Sequence, residues 1–165
     1  MIPFSAFTPR MWVAVVVTGL GVLFGIMSLI STSWNDFSYY TLGLWKFCTA
    51  HVSTCEDSSR NLTDAMKLGR ALVLLGFLTW LVILVLLFVY VLKIDPSMVL
   101  AVIITGVVCA CLMLVGAILW SVGLSINLSW GYYLCYVSGI LAAALSVVLF
   151  LMRKKLLMEY SIVTT

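Results

Sequence analysis

The chain has 165 residues, of which 64% are hydrophobic and only 9% charged, with a formal net charge of +3. An ordinary soluble globule is excluded, because so few polar groups could not cover so much apolar surface. The basic residues are scattered except for Arg153-Lys154-Lys155, so the small positive excess suits a membrane edge and gives no nucleic-acid surface.

The positions of the charges say more than their number. Between Arg10 and Asp36 lie 25 uncharged residues, between Arg70 and Lys93 lie 22, and between Asp95 and Arg153 lie 57. A spanning helix needs about 20 apolar residues to cross a hydrocarbon core of about 30 Å. The first two stretches hold one span each, and the third holds two. Its break is marked by Ser121, Gly123, Ser125, Asn127, Ser129 and Gly131, with Trp120 and Trp130 on either side. Trp favours the membrane–water interface, so these two mark the ends of neighbouring helices. The expected spans are about 11–32, 70–92, 97–120 and 131–152 in one membrane domain. Between them lie an outer loop 33–69 and a short outer loop 121–130, with a cytosolic tail 153–165.

Taken in order, the first span is long, and Ser31-Thr32-Ser33 runs directly into Trp34 without a small-x-small cleavage site. Retention as an anchor is expected. Four spans put both termini on one side. Arg10, Lys93, Arg153, Lys154 and Lys155 then lie inside, and Lys46, Arg60, Lys67 and Arg70 outside. The Arg-Lys-Lys cluster is the strongest element of this slight bias. Loop 33–69 agrees with it, because Cys48, Cys55 and the sequon Asn61-Leu62-Thr63 suit an oxidising, glycosylating compartment. Asn61 is the preferred glycan acceptor, and Asn127, almost against the fourth span, the poorer one.

Within that loop, aromatic and β-branched residues recur at two-residue spacing: Phe37, Tyr39 and Thr41, then Gly43, Trp45 and Phe47. This is a strand pattern. The polar run from Thr49 to Thr54 reads as a hairpin turn between two cysteines. A Cys48–Cys55 disulfide would close a ring of eight residues and stabilise by about 2.5 kcal/mol on the chain-entropy argument; the alternative is two free thiols. Further on, Lys93-Ile94-Asp95-Pro96-Ser97 is a short inner connection that makes spans two and three antiparallel neighbours. Asp95 can cap the third helix, and Pro96 suits its first position.

Trp34, then Gly43-Leu44-Trp45, then Cys48 and Cys55 together resemble the W…GLW…C…C signature of the claudin superfamily. That superfamily includes the claudins, the peripheral myelin, epithelial membrane and lens-fibre membrane proteins, and channel gamma subunits. Asp64 to Leu72, with Arg70, is similar to the approach to span two in that superfamily. The resemblance implies a left-handed bundle of four transmembrane helices under a small extracellular antiparallel sheet. Trp34 would pack at the membrane end of that sheet, with Gly43-Leu44-Trp45 wedged into the bundle. Ten residues separate Trp34 from Trp45, and six separate the cysteines. Claudins proper have longer intervals there and a longer second loop, and offer a hydrophobic last residue to PDZ scaffolds, where this chain ends Ile162-Val163-Thr164-Thr165. The proportions are nearer the short-loop, non-barrier branch.

No enzyme is expected. The single histidine, His51, sits in the predicted turn without a second ligand near it. Cys109 and Cys111 fall on different faces of a helix and form no C-x-x-C pair for thiol exchange; with Cys135 they read as buried apolar thiols. No Asp, Glu, Lys or Arg lies inside a span, which argues against a pore through the protomer. No cofactor, metal, nucleic acid or small-molecule substrate is indicated. Gly21 and Gly25 form a G-x-x-x-G that serves packing within the bundle or, alternatively, oligomerisation. Tyr160-Ser161-Ile162-Val163 fits the tyrosine-based pattern of cytosolic sorting signals, with Tyr160 and Val163 as its two fixed positions.

The expected function is a plasma-membrane structural or adhesion protein, also suited to cell junctions. It would act through lateral or cell–cell contacts of the outer sheet, with Phe37, Tyr39, Tyr40 and Phe47 as contact surface. The expected partners are the lipid bilayer and a second copy or another membrane protein. An auxiliary subunit of a channel or receptor is the alternative, and a membrane redox enzyme a distant one.

Overall fold

Pro9 takes the first position of helix α1 (Pro9–Ile30), where its fixed φ suits a helix start and its missing N–H costs nothing. At the other end the Ser31 hydroxyl accepts the Ser33 N–H at 3.1 Å, which turns the chain out of the helix. The computed structural model describes residues 9–49, 54–58, 62–93, 96–123 and 127–163. Helix α2 (Asp64–Lys93) begins on Thr63, whose hydroxyl accepts the Met66 N–H at 3.4 Å, with Asp64 as an acid in the first turn. Residues 64–69, placed in the outer loop from the charge pattern, are therefore helical. Helix α3 (Pro96–Gly123) again opens on proline. Helix α4 (Trp130–Val163) opens on Ser129, whose carbonyl accepts the Tyr132 N–H at 3.1 Å, and runs well past residue 152.

All four helices are long and apolar enough to cross a membrane, with candidate spans Trp12–Ile30, Asp64–Tyr90, Met98–Val122 and Trp130–Arg153. Each also keeps large apolar side chains on its outward face, such as Val16, Val85, Ile104 and Val147, all more than half exposed. Helices that are apolar all round suit a lipid surrounding.

The helices pack as a ring of antiparallel neighbours, and small residues set the distances. A Cβ on Gly69 would lie 2.7 Å from the Gly116 carbonyl oxygen, and one on Gly116 would lie 2.9 Å from that of Gly69. The backbones of α2 and α3 therefore touch there. At mid-span Trp80 Nε1 donates to Ser138 Oγ at 2.9 Å, and Ser138 Oγ donates to the Gly21 carbonyl at 3.0 Å. One chain of hydrogen bonds thus ties α2, α4 and α1. Gly21 leaves room for the Trp80 indole and Gly25 for Phe77, so both glycines of the G-x-x-x-G face the bundle interior. Cys109 and Cys135 are buried as expected, but Cys111 is exposed on the outer face of α3.

Above one end of the ring lies a four-stranded antiparallel sheet in the order β1 (Asn35–Phe37), β2 (Tyr40–Leu42), β3 (Lys46–Thr49), β4 (Cys55–Asp57). The strands are shorter than the two-residue alternation predicts. Phe37 pairs with Tyr40 across a turn at Ser38-Tyr39, so Phe37, Tyr39 and Thr41 do not share one strand. A second turn, closed by the Gly43 N–H on the Lys46 carbonyl at 2.8 Å, likewise breaks the Gly43, Trp45, Phe47 series. Two tight turns replace two long strands because this sheet is only three or four residues deep.

Candidate functional site

The seat of the sheet is built on Trp34, which is fully buried where α1 gives way to β1. Its Nε1 donates to the Ser28 carbonyl at 2.8 Å, and its ring packs edge-on against Trp120 at 5.3 Å and Tyr132 at 6.2 Å between centroids. Its backbone is held as well: Trp34 N–H donates to the Leu42 carbonyl at 2.9 Å, and Ser129 N–H donates to the Trp34 carbonyl at 2.8 Å. One residue thus joins α1, α3, α4, β2 and the second outer loop.

Asn35, next in the chain, is also fully buried, and its Oδ1 accepts the Trp120 Nε1–H at 2.8 Å. Its backbone forms a bridge with Leu128, and Asp36 N–H donates to the Asn127 carbonyl at 2.9 Å. Asn127 reaches this position with φ of 70°, a left-handed conformation that Asn tolerates better than most residues. The second outer loop therefore closes the β1 edge of the sheet. Neither Asn35 nor this role of Trp120 follows from the sequence reading. Trp120 does lie near the end of α3, but it faces inward with no exposed surface. The available signal was the alignment of a buried-type Trp with the first polar residue after Trp34, which a one-dimensional pattern does not display.

Gly43 and Leu44 lie where the sheet meets the chain leaving α1. A Cβ on Gly43 would lie 2.6 Å from the Ser31 carbonyl oxygen, so only glycine lets this turn press on the chain leaving α1. Leu44 is fully buried. Trp45, which the resemblance would wedge into the bundle, is 37% exposed and lies against the Arg70 guanidinium, 3.7 Å from ring centroid to Cζ. A wedged Trp would need a polar partner for its N–H inside the bundle, and stacking under a cation at the rim avoids that cost. Ser58, buried beside it, donates its N–H to the Trp45 carbonyl at 3.1 Å and its hydroxyl to the Leu44 carbonyl at 3.4 Å.

The face of the sheet that carries buried Asn35 and Leu42 also carries the aromatic set. Phe37 stacks on Tyr40 with 4.5 Å between centroids, and Tyr40 meets Phe47 at 5.0 Å. These three are partly exposed and contiguous, and Tyr39 stands at the turn with 70% of its surface open. On the neighbouring hairpin, Cys48 pairs with Cys55 in register and forms a disulfide, with Cα atoms 4.1 Å apart. The β4 residues are exposed, and β4 is the last strand of the sheet among the described residues. His51 and Asn61 lie outside the described residues. Tyr160 and Val163 fall on the final turns of α4. Among the described residues no three His, Cys, Asp or Glu side chains gather into a metal-holding group.

What this arrangement can do is present a rigid surface. The disulfide fixes the hairpin, Trp34 and Asn35 fix the sheet to three helices, and Phe37, Tyr40 and Phe47 keep part of their surface open. The chain matches no protein-family model and no curated protein.

Proposed function

We propose that this chain is a claudin-like protein of the plasma membrane, whose sheet makes lateral or cell–cell contacts outside the cell. The four helices would cross the bilayer as a left-handed bundle with both termini in the cytosol. The sheet would be extracellular, with a glycan on Asn61. The protein would modify contacts and neither conduct nor catalyse.

The observation that carries this reading is the contiguous Phe37–Tyr40–Phe47 stack on a disulfide-pinned, firmly seated sheet. Aromatic side chains held rigidly lose little entropy on association, which makes them effective contact residues. Placement of Gly43, Leu44 and Trp34 at the join of sheet and bundle supports the family resemblance.

The test is a paired substitution, Tyr39→Ser with Tyr40→Ser, in cells that display the protein at their surface. Clustering at cell contacts should fall while the amount at the surface and the Cys48–Cys55 disulfide stay unchanged. Clustering that survives the change would overturn the proposal. Stoichiometric capture of a larger channel or receptor in mild detergent, also lost in the variant, would replace adhesion by the auxiliary-subunit role.

A further inference from the structure

Across the sheet, the aromatic stack ends in a carboxylate. Phe37 on β1, Tyr40 on β2 and Phe47 on β3 are followed on β4 by Glu56, which pairs with Phe47 in register. Residues directly opposite each other on antiparallel strands point to the same face, so Glu56 shares the face of the three rings. The ring centroids are 4.5 and 5.0 Å apart, close to the spacing of about 4.8 Å between strands. Neighbouring rings are inclined by only 28° and 35°. Rings that close and that nearly parallel lie face to face and not edge to edge. The stack therefore runs across the strands, and the outer face of Phe47 looks over β4, on the side where Glu56 stands. Glu56 is exposed and makes no ion pair among the described residues.

These two neighbours limit what fits the next place in the stack. A neutral ring would cover Phe47 but take water from the carboxylate without replacing it. An anion would be repelled. An ammonium is compact, strongly hydrated and has no flat surface to lay on a ring. A guanidinium is planar and weakly hydrated, and it offers a fork of donors to a carboxylate while its face lies on a ring. The chain already joins these three parts once: the Arg70 guanidinium lies 3.7 Å from the Trp45 centroid, with Asp57 as the acid that acts on it.

The cations of the same end of the molecule are engaged. Among the described residues there, Lys67 is 3.3 Å from Asp64, Lys46 stands opposite Asp57 on the other face of the sheet, and Arg70 is held by Trp45. Each has an acid or a ring beside it, so none is open for the slot of a second copy.

We propose that the slot between Phe47 and Glu56 receives an arginine side chain of a different protein, whose guanidinium extends the ring stack over β4 and pairs with the carboxylate. The slot rests on the reading of the sheet as a contact surface, and it gives that contact its chemistry.

The experiment uses the full chain in phosphatidylcholine nanodiscs with three soluble probes: tetra-arginine, tetra-citrulline and tetra-lysine peptides. Tetra-arginine should bind about tenfold more tightly than tetra-citrulline, which keeps the shape without the charge, and more tightly than tetra-lysine. Glu56→Gln should weaken tetra-arginine about tenfold. Asp36→Asn removes the same charge from the opposite face and should leave binding unchanged. Phe47→Leu should weaken binding too, with an intact Cys48–Cys55 disulfide showing that the hairpin is formed. The slot would be overturned by equal binding of tetra-arginine and either other probe, by binding that Glu56→Gln leaves unchanged, or by equal losses in Glu56→Gln and Asp36→Asn. Binding that rises in Arg60→Gln would assign the slot to this chain's own Arg60, which lies outside the described residues. Association between nanodiscs that is lost in Glu56→Gln would assign it to a second copy, and either result overturns the heterologous partner. Clustering in cells separates this from failure of the contact reading. If Tyr39→Ser with Tyr40→Ser leaves clustering intact, the contact surface itself falls. If that pair abolishes clustering and Glu56→Gln does not, only the arginine slot falls.

Discussion

Ser138 makes two hydrogen bonds at the centre of the bundle, one from Trp80 Nε1 and one to the Gly21 carbonyl, and both cross between helices. Ser146 sits two turns further along α4 and bonds only to the Ala142 carbonyl of its own helix, at 2.9 Å. The two serines look alike in the sequence, but their energetics differ. Interhelical hydrogen bonds in membrane bundles contribute about 0.6 kcal/mol on average and at most about 1.7. Ser138→Ala should therefore lower stability in detergent by about 1–2 kcal/mol, because it also leaves the Trp80 N–H unpaired. Ser146→Ala should change it by less than about 0.5 kcal/mol. Denaturant titration of both variants followed by Trp fluorescence checks the contrast, and equal effects would remove Ser138 from its tying role. At this scale the sequence is readable where a residue type has one use. Gly43 and Cys48 are of that kind. It is unreadable where a side chain has two good uses: Trp45 could have wedged inward or stacked at the rim, and Arg70, twenty-five positions along, decided it.

Among the elements, the hairpin β3–β4 depends most on a single bond. Its strands are three and four residues long, and its Cys48–Cys55 link spans a sequence separation of seven. Strands that short bury too little surface to hold a hairpin alone in water. Cys48→Ser should remove about 2.5 kcal/mol by the loop-entropy argument and release β4 first. Hydrogen exchange should then rise at Glu56 and Asp57 while β1 and β2, held by Trp34 and Leu128, stay protected. Uniform loss of protection across the sheet would show that the disulfide supports more than its own hairpin. Helix existence was legible from uninterrupted apolar runs, since length in such a run admits few other structures. Helix limits were less so. Thr63 outranks the charges at Asp64, Lys67 and Arg70 in setting where α2 begins, because a cap fixes a start and an exposed charge does not prevent one. The sheet was legible as a sheet but not as short strands, since a tight turn at Ser38-Tyr39 preserves the aromatic look of a continuous strand.

For the molecule as a whole, the proposed arrangement puts the N-terminus and the end of α4 in the cytosol. Epitope tags at either terminus should stain only after permeabilisation, and staining of a C-terminal tag on intact cells would overturn that topology. The architecture of four helices was legible from the spacing of fifteen charges, nine basic and six acidic. The order of assembly at the join was not, because it depends on contacts such as Trp34 with Trp120 between residues far apart in the chain. The join also fixes how the protein can associate. Asn127, Leu128 and Ser129 occupy the β1 side of the sheet, and β4 alone offers a side without a strand beside it among the described residues. In terms of strand addition the molecule has a valence of one. If two copies met through their β4 strands, the doublet would have no strand edge left for a third. A longer row would then have to be assembled sideways, through helix faces or aromatic side chains.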